Sequence, residues 1–152
     1  MASDADLLDA LGALEQRLGY EFRDRALVLC ALTHASYAHE HPPEPDNAQL
    51  AWLGDAVLAL VVTERLFTAL PEESVGPLTS RRAELVAGPT LARWAVDLEL
   101  GPLLRLGRGE LLSGGSEKES MLASAFEAVL GAVYLDGGLA AARAIVARLA
   151  VW

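Results

Sequence analysis

Two carboxylates stand in surroundings that do not favour charge. Asp55 is the only ionisable side chain between Leu50 and Val62, and Glu127 is the only one between Met121 and Leu135 apart from the Tyr134 phenol. A carboxylate in an apolar helix is costly unless it finds a partner, a cation or a proton. At about 100° per residue, Asp55 shares a helix stripe with Ala48, Ala51 and Ala59, and Glu127 shares one with Ser120, Ser124 and Gly131. Small flanking residues leave two readings. Either the stripes pack against each other at close range, or they border a pocket in which both carboxylates hold a hard cation such as magnesium, which prefers oxygen ligands.

The elements that must position these acids are helices. The apolar period of Leu7, Leu8, Leu11, Leu14 and Leu18 predicts a first helix from Asp4, capped by Ser3 or Asp4 and ended by Gly19. Asp24 caps a second, from Arg25 to about Leu32, and THASYAHEH forms a short helix or turn. Pro42, Pro43 and Pro45 stop any helix there, so the Asp55 helix begins at Asp46 or Asn47 and runs to about Ala69. Further helices are predicted over Pro77 to Val86 and Thr90 to Leu98, the latter with Pro89 in its first turn. A glycine-rich connection leads to the Glu127 helix, Ser120 to Leu135. That helix stops at Asp136-Gly137-Gly138, and a last one starts at Leu139. With no convincing strand and no repeat, the class is all-α.

Composition narrows the function. The length of 152 residues suits one domain spanning 1–152, and the 53% apolar content hints at surface buried in an oligomer. No charge-free apolar run reaches membrane-spanning length, the acidic N-terminus lacks a secretory layout, and Cys30 is the single cysteine. A cytoplasmic protein without a membrane partner is expected. The net charge of −9 disfavours non-specific nucleic-acid binding. Five arginines nonetheless lie between 81 and 108, at Arg81, Arg82, Arg93, Arg105 and Arg108, and an acidic chain can still carry a local basic strip.

LTHASYAHEH, NAQLAWLGDAVL, LTSRRAELV, LRLGRGELLSGG and LASAFEAVLGAVYLDGG resemble, in that order and spacing, the catalytic domain of ribonuclease III, over about Leu14 to Val146. The resemblance implies an all-helical homodimer that cleaves double-stranded or structured RNA with Mg2+ (or Mn2+), leaving 5′-phosphate and 3′-hydroxyl ends. It implies no C-terminal double-stranded-RNA-binding domain in these residues. It also places Trp52 where the family has the aromatic that enters the partner subunit, although an ordinary core Trp fits the sequence equally.

The chain departs from the family's acid pattern. The signature N-E-R-L-E-F-L-G-D corresponds to NAQLAWLGD, with Ala48 and Ala51 in place of glutamates, and D-A-F-E corresponds to SAFE, with Ser124 in place of aspartate. Only Asp55 and Glu127 keep a carboxylate, so a second metal ion should bind poorly. The compact mini-ribonuclease III branch resembles the chain in the same places, and Asp55 and Glu127 match its two acids. That likeness implies an active endoribonuclease, with ribosomal RNA among the candidate substrates. The alternative is a catalytically inactive ribonuclease III-like RNA-binding or assembly protein.

In an active enzyme Asp55 and Glu127 would be both catalytic residues and metal ligands, and Ser124 would orient a water. Arg81, Arg82 or Lys118 would meet RNA phosphates, with little sequence reading. His34 and Ser36 match the family's H-x-S, but no third group orients them as base and nucleophile, and helix capping or core hydrogen bonding explains them better. Gly54 permits close packing beside Asp55. His39 and His41 are read as solvated, and Cys30 as a small core residue.

Overall fold

A computed structural model describes residues 3–152; Met1 and Ala2 lie outside the described residues. Among the described residues eight α-helices surround one apolar core. Helix α1 (Asp4–Leu18) starts at a capping box in which Ser3 and Asp6 exchange side-chain and backbone hydrogen bonds. It ends at Gly19, whose φ of 68° suits a residue without a Cβ. Helix α2 (Arg25–Ala31) is capped by Asp24, which accepts a hydrogen bond from the Ala26 amide at 3.0 Å. Helix α3 (Ala35–Glu40) is capped by the His34 ring.

Helix α4 (Ala48–Ala69) follows the three prolines. The Asp46 carboxylate accepts from the Ala48 amide, while the Asn47 side chain donates back to the Ala31 carbonyl and ties the helix start to α2. Helices α5 (Val75–Leu85) and α6 (Gly88–Asp97) each begin two residues earlier than the sequence pattern predicts. A 3-10 turn at Gly101–Leu103 and the short helix α7 (Arg108–Leu112) fill the glycine-rich connection, and a second 3-10 turn at Gly115–Glu117 leads into α8 (Glu119–Leu149).

The predicted stop at Asp136-Gly137-Gly138 falls at a break that divides α8 into two helical segments. Only Gly138 leaves helical geometry, at φ 84° and ψ −179°, and α8 resumes beyond it. Asp136 stays helical because its carboxylate accepts from the Tyr20 hydroxyl and from the Arg23 and Asp24 amides, which fastens the α1–α2 turn to α8. The all-α reading holds. Among the described residues the one β feature is an isolated parallel bridge between Thr33 and Arg105.

α8 is the axis of the fold. It packs most extensively on α4, then on α6 and α2. Ala125, Phe126, Ala128, Val129, Leu130, Ala132 and Val133 are all at most 1% exposed, so this stretch is covered on every side but the one that carries Glu127. Burial on all the other sides explains why it is apolar without a helical period. α8 is long and apolar enough to cross a membrane, but its apolar surface is used as core. Trp94 of α6 meets Phe126 edge to face, with ring centres 5.4 Å apart.

Candidate active site at the crossing of two core helices

Two glycines line the helix crossing beside the acids. Where α4 crosses α8, a Cβ on Gly54 would overlap the Glu127 carbonyl and would stand 3.1 Å from the Gly131 amide. A Cβ on Gly131 would overlap the Leu50 carbonyl and reach 3.2 Å from the Gly54 amide. Backbone therefore lies on backbone, an approach open only to residues without a side chain. The expectation that Gly54 permits close packing is met, and Gly131 supplies the matching face.

Asp55 directly follows Gly54, and Glu127 is the residue whose carbonyl Gly54 abuts. Their carboxyl groups meet across the crossing. Burial, then the Asp55 charge and a hydrogen bond to Asp55, push the Glu127 carboxyl up to about 7. Two carboxylates at one place cannot both ionise cheaply, so one proton is retained near neutral pH. Asp55 is exposed and Glu127 half-buried, so the pair opens to solvent. The two acid stripes do not face each other squarely. The contact line of α4 runs through Leu50, Gly54, Val57 and Leu58, all buried, and leaves Asp55 on its flank with Ala48 exposed and Ala51 and Ala59 partly covered.

Chemically the pair offers two carboxyl groups as oxygen ligands at the mouth of a helix crossing, both anionic once Glu127 has lost its proton. Magnesium is commonly held by one or two carboxylates with water completing the shell, so this donor set fits one hard cation. Ser124 is exposed one turn before Glu127 and can add a hydroxyl; Ala51, one turn before Asp55, adds nothing. Among the described residues no group of three or more His, Cys, Asp or Glu side chains gathers as a metal site.

The proposed RNA contacts lie further out. Arg81 and Arg82 are exposed on α5, which packs on the later half of α4. Arg82 donates to the Thr63 hydroxyl at 3.2 Å. Thr63 is about 12 Å along α4 from the level of Asp55 at the standard helical rise. Lys118 is exposed at the start of α8, but its ammonium is engaged with Glu110 at 3.2 Å and the Ser113 hydroxyl at 3.3 Å.

Trp52 is not a core residue: it is 80% exposed. Leu60 and Phe67 share its side of α4, within about 80° of arc, and Val75 of α5 is exposed as well. Sequence reasoning singled out Trp52 but missed this longer apolar stripe. Its signal was present, since a helix apolar on every side carries more surface than one core can bury.

The remaining candidates serve structure. The His34 Nδ1 accepts from the Ser36 amide, and the Ser36 hydroxyl accepts from the Gly107 amide at 2.8 Å, which anchors α7 to α3. His41 stacks on Tyr37 with ring centres 4.0 Å apart, and His39 is exposed. The Cys30 thiol donates to the Asp46 carbonyl, and burial pushes its pKa up, away from reactivity.

Comparison with known proteins fits this geometry. A ribonuclease-III-like family model matches residues 24–151. The chain is 50% identical over 137 residues to a ribonuclease 3 of Caldanaerobacter subterraneus, covering 90% of this chain and 60% of that protein. It is 48% identical over 144 residues to a ribonuclease 3 of Pseudomonas aeruginosa, covering 95% and 59%. It thus spans about 60% of the length of these curated relatives. The 2.2 Å crystal structure of the nuclease domain of ribonuclease III from Campylobacter jejuni superposes with a TM-score of 0.85 and 41% identity, over 91% of this chain and 92% of that one. A second structure of the same domain, described for structural flexibility in a region involved in dimer formation, gives a TM-score of 0.86. With a family model covering most of its length and a near-complete structural match at that identity, the chain belongs to the ribonuclease III family.

Proposed function

We propose that this domain is a divalent-metal-dependent endoribonuclease that hydrolyses phosphodiester bonds in double-stranded or structured RNA as a homodimer in the cytoplasm. The observation that carries the reading is the meeting of Asp55 and Glu127 at a solvent-facing helix crossing. These two side chains would hold Mg2+, or Mn2+ in its place. The ion supplies Lewis acidity at the phosphate and lowers the pKa of water when bound.

The chain's own groups do the rest. Asp55 presents an exposed carboxylate, and Glu127 would give up its retained proton to bind a cation. The Ser124 hydroxyl orients a water or a phosphate oxygen. Arg81 and Arg82 neutralise backbone phosphates, and the Lys118 ammonium can exchange its Glu110 partner for one. Trp52 anchors the second subunit, a role supported by its exposure beside Leu60. RNA duplexes are read by shape and backbone, so little sequence preference is expected.

A second reading is an inactive RNA-binding or assembly protein. It is favoured by Ala51 and Ser124 standing at the positions that would have added carboxylates. One experiment separates the two. Long duplex RNA is incubated with the protein in Mg2+, Mn2+ and EDTA, beside Asp55→Asn and Glu127→Gln. Cleavage that needs metal and disappears in both variants supports the enzyme. RNA that is bound but intact in every metal supports the alternative.

A further inference from the structure

The glycines at the crossing have a role beyond packing. We propose that Gly54 and Gly131 are positioning residues for the acid pair: by letting α4 and α8 touch backbone to backbone, they set the separation at which the Asp55 and Glu127 carboxyl groups stand. The inference deepens the proposed role of that pair and rests on it for its consequence in cation binding. Its own basis is geometric.

Helices lined by ordinary side chains pack with axes about 8–10 Å apart. The carboxyl of Asp55 hangs on one methylene and that of Glu127 on two, so arms this short meet only where the axes are close. Gly54 and Gly131 lie on the contact line itself, each facing backbone of the opposite helix. A methyl group at either position meets main-chain carbonyl oxygen rather than the yielding end of a long side chain. The helices must then separate, and the two arms with them. Gly101 is also crowded, with a Cβ position 2.8 Å from the Ser116 carbonyl, but it lies in the α6–α7 connection away from the acids and serves as a control.

The test is a mutant cycle on the metal-free protein, followed by titration with Mn2+ alone. Thermal unfolding at pH 8 of the wild type, Asp55→Asn, Glu127→Gln and the double variant measures how strongly the two carboxyls feel each other. In the wild type each single change raises Tm, and the double variant gains little more. In a Gly131→Ala background this non-additivity falls by at least half, and calorimetry shows Mn2+ affinity at least tenfold weaker. Gly101→Ala lowers Tm but leaves both readouts as in the wild type. Adding Asp55→Glu to Gly131→Ala lengthens one arm and restores Mn2+ affinity to within about threefold of the wild type.

Full non-additivity in Gly131→Ala overturns the inference, as does its absence from the wild type. Non-additivity in a wild type that binds no Mn2+ refutes the cation reading alone and leaves the positioning role supported. If Gly131→Ala does not fold, Glu127→Asp on the native crossing replaces it. Removal of one methylene must then halve the coupling to Asp55, and unchanged coupling overturns the inference.

Discussion

The carboxyl groups of Asp55 and Glu127 stand within hydrogen-bonding reach of each other at the α4–α8 crossing, and burial together with the Asp55 charge raises the Glu127 pKa to about 7. The stability consequence has a definite sign. Between its ordinary value of 4.5 and about 7, Glu127 is protonated in the folded chain and ionised in the unfolded one. Unfolding releases a proton there, so this contribution to stability is complete below 4.5 and is lost as pH rises through about 7.

Asp55→Asn removes part of the cause. The metal-free variant should be more stable than the wild type at pH 8, and the difference should shrink at pH 4.5. Glu127 is half-exposed, so solvent screening limits the gain to about 1–2 kcal/mol. Urea unfolding in EDTA at the two pH values measures it, and equal stability at pH 8 would contradict the pairing.

Cation binding should displace that proton. Below pH 7 the affinity for Mn2+ is expected to weaken about tenfold per pH unit, because one proton leaves for each ion bound. Above pH 8 it should be flat. Ala51→Glu combined with Ser124→Asp adds two anionic oxygen ligands and should strengthen binding. Calorimetry in two buffers of different ionisation enthalpy reads both affinity and proton release.

Much of this was legible in the sequence because the signals were local. The caps at Ser3 and Asp24, the stop at Gly19 and the lone acids of two apolar helices need no tertiary context. What failed depended on the surroundings. Asp-Gly-Gly reads as a stop, and the break does come at Gly138, but the clasp of Asp136 by Tyr20 and two backbone amides of the α1–α2 turn has no local signal. The contact line of α4 was missed by one residue, since an evenly apolar helix does not indicate which side its neighbour occupies. For the same reason Trp52 could be read inward as well as outward.

Trp52 should govern assembly and leave the subunit's fold alone. With 80% of its surface exposed it contributes little to the core. If it anchors the partner, Trp52→Ala removes a central aromatic contact of the kind that costs about 2 kcal/mol or more, roughly a 30-fold weaker dimer. Sedimentation equilibrium measures the association, and circular dichroism should show unchanged helicity. An unaltered dimer constant would remove Trp52 from the interface.

Asp136 should be a stability residue. Partial burial pushes its pKa up, but hydrogen bonds from Tyr20 and from the Arg23 and Asp24 amides outweigh that and lower it. A depressed carboxylate stabilises the fold above its unfolded value of 3.8, and the contribution is lost as pH falls through the lower folded value. Asp136→Asn keeps one acceptor oxygen and loses the charge. It should cost about 1–3 kcal/mol at pH 7 by the usual strength of hydrogen bonds to charged groups. The gap to the wild type should narrow toward pH 3, as denaturant melts would show, with metal binding unaffected.

The basic residues of α5 should act through charge alone. Arg81 and Arg82 extend from an exposed helix face, and the chain carries a net charge of −9, so the proposed RNA contact has to rest on a local strip rather than the overall field. Each phosphate contact releases condensed counterion and steepens the dependence of log affinity on log salt by about 0.7–0.9. Arg81→Ala and Arg82→Ala should each flatten that slope by about this amount and weaken binding alike for duplexes of different sequence. Arg82→Ala also gives up the Thr63 hydrogen bond, an exposed contact worth little to the fold. Filter binding of catalytically silent Glu127→Gln protein across a salt series provides the slopes. If they match those of the parent, α5 does not face the RNA, and the phosphate contacts must be sought nearer the start of α8, where Lys118 stands.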